Sequence, residues 1–154
     1  MAVEIERKFL VKLDKWHAPE HGIAIQQGYL SHDKNRAVRV RTAGDQAFLT
    51  IKGATAGISR QEFEYAIPKA DADDLMKLCP DLIVKTRFSV TVGDHVWEVD
   101  VFHGANDGLV LAEIELGEED ESFVMPDWAG EEVSQDFRYF NLHLAKHPIG
   151  TWPE

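Results

Sequence analysis

The sequence contains little of what marks an exported or membrane-bound protein. Its single cysteine, Cys79, excludes an internal disulfide and a thiolate metal cage, and is typical of a reducing compartment. No uninterrupted apolar run approaches the ~20 residues that a membrane-spanning helix needs. Glu4 and Glu6 stand where a secretory signal would have a basic start and an apolar run. These absences predict a cytoplasmic protein with no membrane partner.

Positive charge is also scarce. The chain has 16 Lys and Arg against 27 Asp and Glu, and its net charge of −11 would repel a polyanion such as duplex DNA. We therefore expect no nucleic-acid partner. The hydrophobic content of 44% and the charged content of 28% are typical of a folded globular chain. At this length we predict one domain over residues 1–154.

Short segments rich in β-branched and aromatic residues alternate with glycine-containing turns, a pattern that predicts antiparallel hairpins. The clearest hairpin spans residues 90–102, with Gly93 and Asp94 at its tip. One helix is predicted over residues 70–79, because Pro80 would end it. A second is predicted over residues 134–146, with Ser134 as its capping residue. The chain is therefore expected to be mainly β, in the α+β class.

Charged residues fall on one face of each predicted strand, because residues two apart in a strand share a face. The first strand places Glu4, Glu6 and Lys8 on one side and Ile5 and Phe9 on the other. The same separation recurs in later segments. Their charged side chains are Arg39, Arg41, Lys52, Glu62, Glu64, Lys85, Arg87, Glu98, Asp100, Glu113 and Glu115. The pattern predicts a sheet with one charged face.

Two arrangements fit this charged face: an antiparallel sheet with one side in water, or a closed barrel whose lumen holds the charges. Acids and bases are segregated by sign in most of the strands, which favours ligand binding over an ordinary solvated face. In a closed lumen the crowded carboxylates need neutralisation, which hard divalent cations provide. With metal bound, the lumen would suit a small, highly charged anion such as a phosphate chain.

The ordered set of motifs resembles one known family. Glu4-Ile-Glu6-Arg-Lys8 looks like the ExExK signature of the CYTH family, also called triphosphate tunnel metalloenzymes. Further motifs stand in the family's order: Gln27-Gly-Tyr-Leu30, Arg39-Val-Arg41, Thr50-Ile-Lys52, Glu62-Phe-Glu64, Lys85-Thr-Arg87, Glu98-Val-Asp100, Glu113-Ile-Glu115 and residues 128–139. The resemblance covers residues 1 to about 145, and the chain looks most like the small bacterial inorganic triphosphatases.

The resemblance implies a closed, eight-stranded antiparallel β tunnel with a charged lumen, short flanking helices and a C-terminal helix. It implies hydrolysis or rearrangement of a triphosphate inside the tunnel, with Mg²⁺ or Mn²⁺. The implied metal ligands are Glu4, Glu6, Glu113 and Glu115. The implied phosphate-binding residues are Lys8, Arg39, Arg41, Lys52, Lys85 and Arg87. Glu62, Glu64, Glu98 and Asp100 are secondary lumen residues, which would bind metal, orient water or pair with the bases.

The catalytic residues that we predict are Lys8, Tyr29 and Lys85, with Tyr29 near Lys8 at the tunnel mouth. The leading function is hydrolysis of inorganic tripolyphosphate or a similarly small triphosphate. A class IV adenylate cyclase and a thiamine triphosphatase stay open on the same fold, as does a non-catalytic polyphosphate-binding module. The acids favour a metal-dependent catalyst over an anion binder, because carboxylates repel an anion. A homodimer is compatible with the sequence, which leaves the oligomeric state open.

Overall fold

Nine strands and two short α-helices are found in the computed structural model, which describes residues 3–153. They are β1 (Val3–Val11), β2 (Ile23–Ser31), β3 (Arg36–Ala43), β4 (Gln46–Gly53), β5 (Ser59–Ala66), α1 (Lys69–Met76), β6 (Leu82–Val92), β7 (His95–His103), β8 (Val110–Glu115), β9 (Ala129–Glu132) and α2 (Asn141–Lys146). The hairpin at residues 90–102 is confirmed, with Gly93 at φ +62° between β6 and β7. No helix formed by residues 3–153 combines the length and apolar character of a membrane span.

Eight strands close into an antiparallel barrel, which confirms the predicted fold. The strand order is β5-β4-β3-β2-β6-β7-β8-β1, and pairing of β1 with β5 completes the circle. The remaining strand, β9, pairs with β1 further along, where Phe9 lies opposite Glu132. Closure removes the exposed sheet edges that an open antiparallel sheet would leave.

The register of the barrel gathers the charged side chains on its inner surface. Glu6 lies opposite Glu115, and Lys8 lies opposite Glu113. On the outer surface most of the alternate residues are apolar, and many of them form a core with the loops that cover them. Trp97 is fully buried there, with its ring centroid 5.5 Å from that of Trp128. The strand alternation thus separates an apolar outer core from a charged interior.

The C-terminal segment packs against one end of the barrel interior. Leu142 and Leu144 of α2 join a buried apolar cluster with Ile83, Phe102 and Leu111 of the strands. Burial of such side chains stabilises the folded state by about 1.5–3 kcal/mol each. This cluster fixes the segment that follows β9 across the end of the barrel.

The predicted helix over residues 134–146 is wrong in its extent. A 3₁₀ turn at Phe137–Tyr139 is separated from α2 by Phe140, whose backbone is extended (φ −73°, ψ 140°). The break has a tertiary cause, because the carbonyl of Tyr139 accepts a hydrogen bond from Lys8 Nζ at 3.2 Å. Ser134 does not cap a helix, since its hydroxyl accepts a hydrogen bond from the Lys8 backbone N–H. Asp136 caps the 3₁₀ turn instead.

The helix predicted over residues 70–79 is present as α1, and it covers β3 and β4 on the outside of the barrel. Gly28 of β2 permits a close approach of the segment after α1. A Cβ on Gly28 would lie 2.6 Å from Cys79 Cβ and 2.9 Å from Leu82 Cδ2. A side chain at this position would therefore push the segment away from the barrel.

Substitution of Gly28 by alanine is expected to lower the free energy of unfolding by about 1–3 kcal/mol through this overlap. The measurement is urea denaturation. Gly53→Ala in β4 is the matched control, because its Cβ would lie 3.5 Å from Gln61, an ordinary contact. Equal losses in the two variants would contradict the close-approach argument.

Candidate active site

A cavity of about 590 Å³ occupies the barrel interior. Of the residues that the sequence analysis proposed for the site, all line this cavity except Lys85 and Asp100. The proposed residues that line it are Glu4, Glu6, Lys8, Tyr29, Arg39, Arg41, Lys52, Glu62, Glu64, Arg87, Glu98, Glu113 and Glu115. The barrel therefore brings together charged side chains from seven of its strands, β1, β3, β4, β5, β6, β7 and β8.

Two arginines on β3 carry positive charge that nearby carboxylates neutralise weakly, for Arg39, or not at all within residues 3–153, for Arg41. Arg39 is 5% exposed, its Nε has no hydrogen-bond partner, and its nearest carboxylate oxygen, on Glu64, is 4.0 Å away. Arg41 donates from Nε to Gln27 Oε1 at 2.9 Å and forms no ion pair within residues 3–153. Burial, with Arg39 and Arg87 nearby, lowers the pKa of Arg41. This wall of the cavity favours an anion.

The opposite charge is crowded around β1 and β8. Burial, together with the neighbouring Glu113 and Glu4, raises the pKa of Glu6 to about 8. Burial also raises the pKa of Glu115, and Glu4 and Glu98 add to the effect. Crowded carboxylates whose pKa values are raised in this way are stabilised by a cation that lies between them.

Glu4 and Glu113 of this group also contact lysines. Burial raises the pKa of Glu4, although Lys52 Nζ lies 2.8 Å from its Oε1. Burial would raise the pKa of Glu113 as well, but Lys8 and nearby basic residues outweigh it and hold that pKa well below the usual range. The acidic group therefore contains both protonated and ionised members before any ligand binds.

The chemistry of this donor set fits a hard divalent cation. Glu4, Glu6, Glu113 and Glu115 offer only carboxylate oxygens, the ligands that Mg²⁺ and Mn²⁺ prefer. Within residues 3–153 no three acidic, histidine or cysteine side chains already converge as a ligand set. Magnesium is commonly bound by one or two carboxylates together with substrate phosphates and water, so it does not need such a cage.

Lys8 lies between the acidic group and the C-terminal segment. Its Nζ is 3.5 Å from Glu113 Oε1, donates to the Tyr139 carbonyl at 3.2 Å, and lies 5.2 Å from the centre of the Phe140 ring. Burial lowers the pKa of Lys8, but Glu113 and neighbouring acids raise it by more, so the ammonium stays charged. Tyr29 lines the same cavity, yet it is 5% exposed and belongs to the apolar cluster at the end closed by α2. Tyr29 therefore does not lie at an open mouth of the tunnel, where the sequence analysis placed it.

Lys85 and Asp100 form an ion pair that is buried inside the barrel and does not line the cavity. Lys85 Nζ lies 2.7 Å from Asp100 Oδ2, and the two side chains are 0% and 2% exposed. Asp100 also accepts hydrogen bonds from Arg87 at 2.8 and 2.9 Å. Burial would raise the pKa of Asp100, but Lys85 and Arg87 lower it to about 2. Asp100 therefore orients Arg87, which lines the cavity. Lys85 also donates a hydrogen bond to Asn141 Oδ1 at 3.1 Å.

Several cavity residues were absent from the sequence prediction. Arg60 could have been found, because it shares the inward face of β5 with Glu62 and Glu64. Phe140 and Asn141 could not, since they reach the cavity only through the fold of the C-terminal segment. These residues show that the chain after β9 contributes to the site as well as to packing.

Comparison with known proteins agrees with this geometry. The chain matches the CYTH domain over residues 2–147. It is 44% identical over 156 residues to a protein of Acetivibrio thermocellus named inorganic triphosphatase, and the alignment covers 100% of both chains. A protein of Nitrosomonas europaea with the same name is 39% identical over 150 residues, covering 92% of this chain and 96% of that protein.

Solved structures have the same architecture. A crystal structure of an inorganic triphosphatase gives a TM-score of 0.67 at 37% identity, covering 94% of this chain and 95% of that one. A Bacillus halodurans protein described as a candidate adenylate cyclase gives 0.61 at 18% identity, covering 78% and 84%. The second likeness concerns the fold alone. Sequence match, relatives and barrel together establish that this chain belongs to the CYTH domain family, the triphosphate tunnel metalloenzymes.

Proposed function

We propose that this protein is a divalent-metal-dependent triphosphatase that hydrolyses inorganic tripolyphosphate, or a similarly small triphosphate, inside the barrel. The observation that carries the proposal is the polarised cavity. In it Arg39, which has a long ion pair with Glu64, and Arg41, which bonds a neutral amide, share one space with the crowded Glu6 and Glu113. A polyanion bound to the arginines, together with a divalent cation bound to the glutamates, would neutralise both groups of charges. The relatives named inorganic triphosphatase support the same substrate.

In this proposal Glu4, Glu6, Glu113 and Glu115 hold Mg²⁺ or Mn²⁺. When bound, such an ion supplies Lewis-acid polarisation of phosphoryl oxygens and lowers the pKa of bound water. Arg39 and Arg41 bind the phosphate chain, and Arg87 is held towards it by Asp100. Lys52 contacts both Glu4 and Glu62, at 2.8 and 3.2 Å, so its charge is already largely matched.

The reaction needs little covalent chemistry from the protein. A water oxygen forms a bond to the terminal phosphorus, the bond from that phosphorus to the bridging oxygen breaks, and the bridging electron pair leaves with pyrophosphate. The arginines and Lys8 stabilise the negative charge that develops on the transferred and leaving oxygens. The attacking water gives up a proton that passes to solvent, and Tyr29, a phenol that lines the cavity with Lys8, assists this transfer.

The test incubates purified protein with Mg²⁺ or Mn²⁺ and separately with tripolyphosphate, ATP and thiamine triphosphate. We expect rapid release of orthophosphate from tripolyphosphate and slower turnover of the other two. Pyrophosphate together with cyclic AMP from ATP would indicate a cyclase instead. Metal-dependent binding without turnover of any of them would indicate a binding module.

The affinity for Mn²⁺ is expected to rise with pH up to about 8, because Glu6 must lose a proton before it can bind a cation. Its pKa is raised by burial first and by Glu113 and Glu4 next, so below about 8 the folded protein holds a proton that metal must displace. The gain approaches about tenfold per pH unit. Titration with Mn²⁺ from about pH 6 to about pH 9 measures it.

Glu6→Gln should flatten this pH dependence, while Glu118→Gln, which changes an exposed loop carboxylate, should leave it as in the wild type. An Mn²⁺ affinity that does not vary with pH, or an equal slope in Glu6→Gln, would remove Glu6 from the ligand set.

A further inference from the structure

Gln27 is a fully buried polar residue in the charged half of the barrel. It lies on the inward face of β2, directly opposite Arg41 of β3, and is 0% exposed. Its Oε1 accepts the hydrogen bond from Arg41 Nε at 2.9 Å, while its buried Nε2 has no hydrogen-bond partner in the part of the chain that the structure describes. A buried amide N–H that lacks a partner is unfavourable. The side chain therefore serves its contact with Arg41 at the expense of its own hydrogen bonding.

Arg87, two strands from Arg41 on β6, is held in a different way. Asp100 accepts two hydrogen bonds from its guanidinium, at 2.8 and 2.9 Å, and Glu98 lies 3.3 Å from Nη1. Carboxylates orient Arg87 and also neutralise it. A neutral amide orients Arg41 through one N–H and leaves the full charge and both Nη groups for another partner.

We infer that Gln27 is a positioning residue, which aims Arg41 into the cavity while leaving its charge to an anionic phosphate chain. This inference rests on the proposed function, since it assumes that the cavity binds a polyphosphate. It assigns to the amide a role that neither a carboxylate nor an apolar side chain of similar size could fill. The carboxylate would orient Arg41 but compete with the substrate, and the apolar side chain would leave it unoriented.

The experiment compares Gln27→Glu, Gln27→Met and the matched control Gln26→Glu. Gln26 neighbours Gln27 on β2 but is exposed on the outer face, so the control adds the same charge outside the barrel. Each variant is assayed for KM and kcat with tripolyphosphate and Mn²⁺. Each is also assayed for the rise in melting temperature that tripolyphosphate causes in EDTA, which reports anion binding without turnover.

Gln27→Glu is expected to raise KM at least about tenfold and to abolish most of the tripolyphosphate-dependent stabilisation. Gln27→Met should raise KM by a smaller factor, roughly threefold to tenfold, and Gln26→Glu should stay within about twofold of the wild type. Without ligand, Gln27→Glu should melt no lower than Gln27→Met, because a carboxylate there relieves the repulsion among Arg39, Arg41 and Arg87.

If Gln27 had a merely structural role, tripolyphosphate binding would fall in step with melting temperature. Gln27→Met would then lose at least as much binding as Gln27→Glu. Gln27→Glu with wild-type anion binding would overturn the inference, as would a Gln27→Met variant that loses as much binding as Gln27→Glu while melting lower. Failure of the proposed function is seen separately, as absence of orthophosphate release from tripolyphosphate by the wild-type protein. The EDTA measurement still decides the role of Gln27 in that case.

Discussion

Replacement of Arg41 by alanine is expected to lower kcat/KM for tripolyphosphate roughly 100-fold to 1000-fold, or by about 2.7–4 kcal/mol of transition-state stabilisation. The reason is that Arg41 carries a cavity-facing charge with no ion-pair partner among residues 3–153, so removal takes away attraction to the substrate without freeing any of their carboxylates. Steady-state kinetics of orthophosphate release measures the effect.

Arg36→Ala is the matched control on the same strand. The Arg36 side chain is 82% exposed and paired with Asp33 outside the cavity lining, so its loss should leave kcat/KM within about twofold of the wild type. A similarly small change of kcat/KM in Arg41→Ala would mean that the phosphate chain does not contact β3. The proposal that the β3 arginines bind the substrate would then be wrong.

The second large effect concerns stability. Asp100→Asn keeps the side-chain shape but removes the counter-charge that the buried Lys85 and Arg87 share. Burial already lowers the pKa of Lys85 to about 7 with Asp100 in place, so without that carboxylate Lys85 must give up its proton, while Arg87 stays charged. Removal of one member of a buried ionic network typically costs about 3–5 kcal/mol, and we expect the free energy of unfolding to fall by that amount. Urea denaturation at neutral pH measures it.

Glu132→Gln provides the comparison, because it breaks an ion pair with Arg7 whose partners are about one-third exposed. That loss should be at most about 1 kcal/mol. If Asp100→Asn unfolds with the same free energy as the wild type, then Lys85 does not depend on Asp100 for its burial. The structural role that we assign to the buried Lys85–Asp100 pair would then be wrong.

The composition of the lumen was open to prediction from the sequence because strand alternation is strict. Glu4, Glu6 and Lys8 fall on one face by their spacing alone, and closure of the barrel then gathers the corresponding faces of the other strands. The same rule applied to β5 would have included Arg60.

The depth of each inward side chain and the closure of one barrel end could not be predicted from the sequence. Parity places Lys85 and Arg87 on the same face of β6, but only the packed barrel shows that Lys85 is buried against Asp100 while Arg87 reaches the cavity. The break at Phe140 likewise depends on Lys8, which bonds the Tyr139 carbonyl from a strand more than a hundred residues away in the chain. Helical spacing of apolar residues cannot anticipate such a partner.

The most direct test of the central claim is a crystal structure of the protein with tripolyphosphate and Mn²⁺, using the anomalous signal of manganese to locate the metal. We expect manganese at the carboxylates of Glu4, Glu6, Glu113 and Glu115. We also expect phosphate oxygens within hydrogen-bond distance of Arg39 and Arg41. Manganese or tripolyphosphate bound only outside the barrel, in a protein that still hydrolyses tripolyphosphate, would contradict it.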